Sequence, residues 1–440
     1  MRRLIYLMLR AVSTVDRRFK ERLTAAGWLL LGVGAAAAAA GLDTNLTVTY
    51  RAFTFLAGLL LLAWMASLFF SARIEASREL PKYATAGAPF TYRVTLANRG
   101  RRALVGAQLA ERFADARPGF EDWKRAREPG EERRNWFDRN VGYFRWRWLI
   151  ERRVPRDAGS VDLAPLAPGE QRTLTLGLTP RRRGRIEMAG LTLGQPDPLG
   201  LVKGLARIPL PARLIALPKR YRLPELALPG RRKFQPGGVS LAASVGDSEE
   251  FLALRDYRPG DPLQRVHWKS FARTGKPVVK EYQDEFFERH ALVLDTGSVR
   301  GEDAAFEEAV ALAASFVYTI DTHDCLLDLL FMGGEVRAYT AGRGQLHAEQ
   351  MLEALAAVGP SAPETFSALA QAVLMRRDTL SSIIAVLLCW DEARARFVAA
   401  LRAEGFEVRV LLVSQSDENV PPGALHLLPG RIEEGLARLR

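Results

Sequence analysis

Two stretches near the start of the chain, residues 25–42 (AAGWLLLGVGAAAAAAGL) and 52–71 (AFTFLAGLLLLAWMASLFFS), contain no charged residue. As helices, runs like these approach or reach the thickness of a bilayer core, so their natural solvent is lipid. Residues 43–51 form a short connector between them, which makes the pair a hairpin. The segment before it carries Arg2, Arg3, Arg10, Arg17, Arg18, Lys20 and Arg22 against Asp16 and Glu21. The positive-inside rule keeps such an arm in the cytoplasm, sends the connector outward and returns the chain inside. The expectation is a two-helix protein of the inner (cytoplasmic) membrane, residues 1–72, with everything after about residue 72 in the cytoplasm. A cleaved signal peptide in place of the first segment leaves that topology nearly unchanged.

The formal charge of +12 points to acidic partners such as anionic lipid, nucleic acid or an acidic protein face. Cys325 and Cys389 each sit in an apolar run and read as buried free thiols. The five histidines are scattered, with no HExxH and no Cys/His cluster, which argues against a zinc enzyme.

Residues 73–218 read as β-rich. Alternation in 89–98, 171–176, 184–188, 191–193 and 213–218, punctuated by Gly and Pro, suggests a small immunoglobulin- or fibronectin-like β-sandwich. An insert at about 112–158 is charged and aromatic. Its run Tyr143-Phe144-Arg145-Trp146-Arg147-Trp148 reads as a strand with Phe144, Trp146 and Trp148 on one face. Interleaved arginines and aromatics also suit single-stranded nucleic acid, the weaker alternative to an amphipathic strand.

Residues 219–286 contain the densest polar motif, GDSEEFLALRDYRPGDPLQRVHWKSFARTGKPVVKEYQDE at 246–285. Pro259-Gly260 is a turn pair, and Asp261 followed by Pro262 has the chemistry of a helix start, so a helix is expected from there to about Arg273, stopped by Gly275. A catalytic reading takes His267 as acid–base with Asp256 or Asp261. A recognition reading uses the same groups as an ion-paired docking element. No nucleophile–base or metal-ligand spacing favours the first.

From residue 287 to 440 strands and helices alternate, with apolar strands expected at 291–294, 325–332, 382–389 and 407–413. This pattern predicts an α/β domain with a mostly parallel sheet covered on both faces. Ligands in such sheets sit at the carboxyl ends of the strands, where Asp295 and Asp391 fall.

The motif resembles the signature of a bacterial family known as domain of unknown function fifty-eight. The matching positions are Arg255, Tyr257, Gly260 and Asp261; His267, Trp268 and Lys269; Ala272, Arg273 and Gly275; Val279 and Glu281. The membrane segments and the turn Asp197-Pro198-Leu199-Gly200 agree with such proteins. The resemblance implies a von Willebrand factor A-like C-terminal domain and a MoxR-type AAA+ ATPase as partner. It also implies a Mg²⁺ site of the D-x-S-x-S kind, with Asp295 as first ligand, Thr365 as the threonine and Asp391 as the last. Gly297 and Val299 stand where the two serines belong and Ser298 is out of step, so the implied site is degenerate. Together these readings give a membrane-tethered protein-binding platform rather than an enzyme. The alternatives are a metal-dependent hydrolase built on His267 and a nucleic-acid binder built on the insert.

Overall fold

The computed structural model describes residues 2–40, 47–224, 249–261, 263–284, 288–297, 303–320, 325–342, 345–416 and 420–437. The chain divides into two compact units, Met1–Lys219 and Arg220–Arg440. The apolar segments and the β-rich region therefore share one unit, and the HWK segment shares the other with the α/β region.

The first unit opens with helices α1 (Arg2–Arg22), α2 (Ala25–Ala40) and α3 (Thr47–Leu68). Within α3, Val48–Leu68 is long and apolar enough to cross a membrane, whereas Ala25–Ala39 is apolar but shorter. The helix starts earlier than the uncharged run, taking Arg51 into its first turns. The basic arm, read above only for its charge, is itself a continuous helix.

Strands β1 (Ile74–Glu79), β2 (Tyr83–Thr85), β3 (Phe90–Asn98) and β4 (Gln108–Phe113) follow. After the insert come β5 (Val161–Asp162), β6 (Gln171–Leu178), β7 (Gly184–Pro196) and β8 (Lys203–Leu217). They form a three-stranded sheet, β1-β3-β6, and a five-stranded sheet, β2-β8-β7-β4-β5. Alternation puts Tyr92, Val94 and Leu96 of β3, Leu176 and Leu178 of β6, and Met188, Leu191 and Leu193 of β7 into one apolar core between the sheets. Arg78 and Glu111 form a buried ion pair there, and Tyr92 donates its hydroxyl to Glu111 at 2.7 Å.

The insert corrects the sequence reading. Residues 143–148 are helical, within α6 (Tyr143–Arg153), after α4 (Phe120–Arg125) and α5 (Trp136–Val141). Helical spacing turns Trp146 and Leu149 inward together, and they pack with Trp123, Tyr6 and Leu9. Trp146 is only 2% exposed, and Arg145 is held in an ion pair with Glu131. Trp146 thus presents no face for base stacking, while Trp136, Phe137 and Tyr143 of the insert are exposed.

The second unit begins with β9 (Glu249–Asp256), α7 (Trp268–Thr274) and β10 (Val278–Asp284). Then come β11 (Glu288–Leu294), α8 (Asp303–Thr319), β12 (Cys325–Gly333), β13 (Glu335–Ala341), α9 (Gln345–Ala357) and α10 (Phe366–Leu374). The unit ends with β14 (Ser382–Leu387), α11 (Glu392–Ala403), β15 (Glu407–Val413), β16 (Leu425–Leu427) and α12 (Ile432–Leu436). β9 and β10 pair antiparallel by themselves. The main sheet runs β13-β12-β11-β14-β15-β16, parallel except for the edge strand β13. On one face α10 and α11 bury Phe366, Leu369, Phe397 and Leu401 against β11, β12, β14 and β15. α8 packs against the same sheet and against α9.

Candidate functional site

Three places bring the singled-out residues together. The first is the carboxyl end of the parallel sheet. Asp295 follows β11 and is 1% exposed, and its Oδ1 accepts the Gly297 amide at 2.9 Å. Asp391 is the N-cap of α11, where its Oδ1 accepts the Arg394 amide at 2.9 Å. One turn into that helix the Arg394 side chain folds back between the two carboxylates. Its Nε donates to Asp295 Oδ2 at 2.8 Å, Nη2 lies 2.8 Å from the same oxygen, and Nη1 reaches Asp391 Oδ2 at 2.5 Å. The guanidinium also lies 4.4 Å from the ring centroid of Phe366 and is 1% exposed. Burial works against its charged form, but the hydrogen bond and charge of Asp295 outweigh that and raise its pKa above the ordinary arginine value.

The residues therefore do not fit the divalent ion that the degenerate motif implied. A resident cation already spans the first and last expected ligands, and a Mg²⁺ ion beside it would face a like charge. The missing serine belongs to the same arrangement. A Cβ on Gly297 would lie 3.0 Å from Arg394 Nη2 and 3.0 Å from the Pro363 Cα. Glycine at 297 and arginine at 394 are thus coupled: the first leaves room for the second. The Thr365 hydroxyl donates to the Ala362 carbonyl at 2.6 Å and lies 3.0 Å from Ser361 Oγ, which is 2.9 Å from Thr296 Oγ1. It braces the loop after β11. Ser298 lies outside the described residues. Among the described residues no three His, Cys, Asp or Glu side chains form a metal-binding group.

The second place is the HWK segment. Arg255 on β9 grips Asp261 with both terminal nitrogens, at 2.7 Å each. Asp261 Oδ2 also accepts the Arg258 amide at 2.8 Å, so its carboxylate closes the Pro259-Gly260 turn, where Gly260 has φ +108°. These bonds, Arg255 first, lower its pKa to about 2. Asp261 does not start the helix expected from it. A single tight turn occupies Leu263–Arg265, and α7 begins only at Trp268. Pro262 lies outside the described residues.

The His267 amide donates to the Val278 carbonyl at 2.8 Å, and the Tyr257 amide to the Pro277 carbonyl at 3.0 Å. Val266 and Val279 are buried, which pins α7 across the β9–β10 pair. The His267 ring is 2.7 Å from Ser270 Oγ within the first turn of α7, and neither Asp256 nor Asp261 orients it. The acid–base pairing expected of a hydrolase is not assembled among the described residues. Gly275 ends α7 at φ 68°. Glu281 pairs with Ala253 in the strand register, and its side chain lies outside the described residues.

What this fixed scaffold presents outward is an apolar and basic face. Trp268 is 58% exposed and meets Phe271 edge-on at 6.0 Å between ring centroids. Leu254 and Leu263 are exposed too, as are Lys269, Arg273 and Lys276.

The third place was legible only as a turn motif. Asp197 accepts the amides of Leu199 at 3.0 Å, Leu201 at 2.7 Å and Val202 at 2.7 Å. The turn so closed aims the Leu201 carbonyl at the break between α1 and α2. There it accepts the Thr24 amide at 3.1 Å, and the Thr24 hydroxyl bonds the Gly200 carbonyl at 2.6 Å. A Cβ on Gly27 would come within 2.2 Å of the Leu201 oxygen, so only glycine allows this approach. Leu23, Leu201, Val202 and Ala63 are buried together beside Trp64. The Asp-Pro-x-Gly turn is therefore the seat of the apolar helices on the β region.

Residues 253–431 match the model of the family described as Protein of unknown function DUF58. "Uncharacterized protein YeaD" of Bacillus subtilis (strain 168) is 26% identical over 193 residues, which cover 43% of this chain and 47% of that protein. The chain thus spans just under half the length of that curated relative. Among solved structures, PapD-like domain 7 of human CEP192 is 13% identical, with 33% of this chain and 87% of that one covered, at a TM-score of 0.18. A beta-glucosidase from Listeria innocua is 12% identical, with 33% and 16% covered, at 0.17. Likenesses at these TM-scores carry no argument about fold or function.

Proposed function

We propose that this protein is a membrane-anchored docking platform whose α7 face binds another protein. In this reading α2 and α3 form a two-pass hairpin of the inner membrane, with the rest of the first unit and the whole second unit in the cytoplasm. The two sheets of the first unit make an immunoglobulin-like sandwich, and the second unit is a von Willebrand factor A-like domain. The observation that carries the reading is the exposed pair Trp268 and Phe271 among Lys269, Arg273 and Lys276, on a helix held in place by Arg255–Asp261 and by His267 backbone bonding. Exposed aromatics ringed by arginine and lysine are the chemistry of binding hot spots, and here the polar signature residues support the face rather than form a reaction centre. The basic rim calls for an acidic partner surface. A MoxR-type AAA+ ATPase, the partner that the family resemblance implies, is the candidate, in assembly or maturation of other proteins.

Crosslinking in intact membranes followed by affinity recovery tests this. The wild type should bring down an ATPase, and Trp268→Ala with Lys269→Glu should reduce its recovery at least about tenfold, the loss expected when a central aromatic is truncated. Equal recovery by the variant and the wild type removes α7 from the interface.

A further inference from the structure

α1 has two apolar faces, and its own unit covers one of them. Tyr6 and Leu9 are buried against Phe120, Trp123 and Trp146, with Tyr6 lying 5.4 Å from Trp146 between ring centroids. At helical spacing, Leu4, Leu7, Met8, Val15 and Phe19 form a separate stripe on the opposite side, between 36% and 72% exposed. From Leu4 to Phe19 this stripe extends about 22 Å along α1, more than scattered surface leucines would.

Two observations say what covers it. The stripe ends on the membrane-length helix: Phe19 lies 6.3 Å from Trp64 of α3, and the Arg22 guanidinium lies 5.1 Å over the same indole. One edge is basic, with Arg3, Arg10 and Arg17 in line, and Arg18 lies beside Leu4 and Leu7 at helical spacing. Both acidic residues of the helix are drawn into pairs, Asp16 with Lys20 and Glu21 with Arg17, each at 2.7 Å. An apolar stripe edged by arginine and continuous with a spanning helix matches the boundary between headgroups and acyl chains of an anionic leaflet.

We propose that α1 is an interfacial helix that lays the Leu4–Leu7–Met8–Val15–Phe19 stripe into an anionic lipid surface while its Tyr6–Leu9 face holds the insert. The proposal rests on the reading of α3 as a membrane span. It goes beyond anchoring, because it gives the arm a lipid preference and makes the insert a membrane-proximal element.

The test uses the full chain with Cys325→Ser and Cys389→Ser, carrying one spin label at a time at Met8→Cys, Val15→Cys, Asp16→Cys or Leu61→Cys. The protein is reconstituted in vesicles of phosphatidylcholine alone or with phosphatidylglycerol. In the mixed vesicles, labels at 8, 15 and 61 should collide several-fold more with oxygen than with an aqueous nickel chelate, and the label at 16 should show the reverse. In phosphatidylcholine alone, 8 and 15 should shift toward the aqueous probe while 61 does not. A lipid-exposed 61 with 8 and 15 as aqueous as 16 overturns the proposal and leaves the anchor intact. An aqueous label at 61 overturns the anchor reading itself. Equal lipid exposure of 8 and 15 in both vesicle types overturns the anionic preference. Shielding of 8 and 15 from both probes means that a second protein copy, not lipid, covers the stripe.

Discussion

Replacing Arg394 by methionine keeps most of the aliphatic stem and deletes the guanidinium. Asp295, 1% exposed, then retains one amide hydrogen bond from Gly297 at 2.9 Å and a long one from Leu388 at 3.3 Å, but has no cation. Breaking a buried ion pair from one side costs about 3–5 kcal/mol, because the surviving charge stays desolvated. The lost contact with Phe366 is part of that figure rather than an addition to it. Hydrogen exchange followed by mass spectrometry on β11 and β14 peptides reads the change directly, as a fall in protection of roughly a hundred- to a few-thousand-fold. Adding Asp295→Asn removes the stranded charge and should recover about 0.5–3 kcal/mol. Unchanged exchange in Arg394→Met, or wild-type protection that climbs with added Mg²⁺, would show that the guanidinium is not the resident cation and refute the reasoning.

Two further outcomes follow from other parts of the chain. Asp197→Ala should leave the Leu199, Leu201 and Val202 amides short of an acceptor, at about 1–3 kcal/mol for each left buried, and Gly27→Leu should force α2 off the Leu201 carbonyl; protease nicking at the α1–α2 break measures both. His290 is 3% exposed and 2.7 Å from Ser382 Oγ, and burial lowers its pKa below 6.5. The unfolded chain therefore binds a proton in a range where the folded one does not. The second unit should be most stable above pH 6.5 and lose stability as pH falls through the folded value, with the slope flattened in His290→Gln when urea midpoints are compared.

The α/β region could be read from sequence because buried parallel strands are continuous apolar runs: 382–389 was expected, and β14 occupies Ser382–Leu387. The insert misled because Arg/Trp alternation fits a strand locally, while burial of Trp146 with Leu149, three residues on, needs a helix. The stripe on α1 was present at positions 4, 7, 8, 15 and 19 but lay under a charge count. Arg394 was the most consequential omission. Asp391-x-x-Arg394 at a helix start lets the arginine reach back to the cap, and Gly297 opposite a lost serine was a matching signal. Each alone is commonplace, and only the fold brings the Arg394 guanidinium within 3 Å of both Asp295 and Asp391.

The seat of Thr24 and Gly27 on the Asp197 turn has a mechanical consequence. No linker separates α2 from the β region there, so the joint has no slack. If α2 enters the bilayer with α3, as in the proposed hairpin, membranes of different thickness would tilt it to different degrees, and that tilt would be passed to the sheets as a rotation. The joint would then act as a lever, converting bilayer thickness into the angle at which the first unit stands on its membrane.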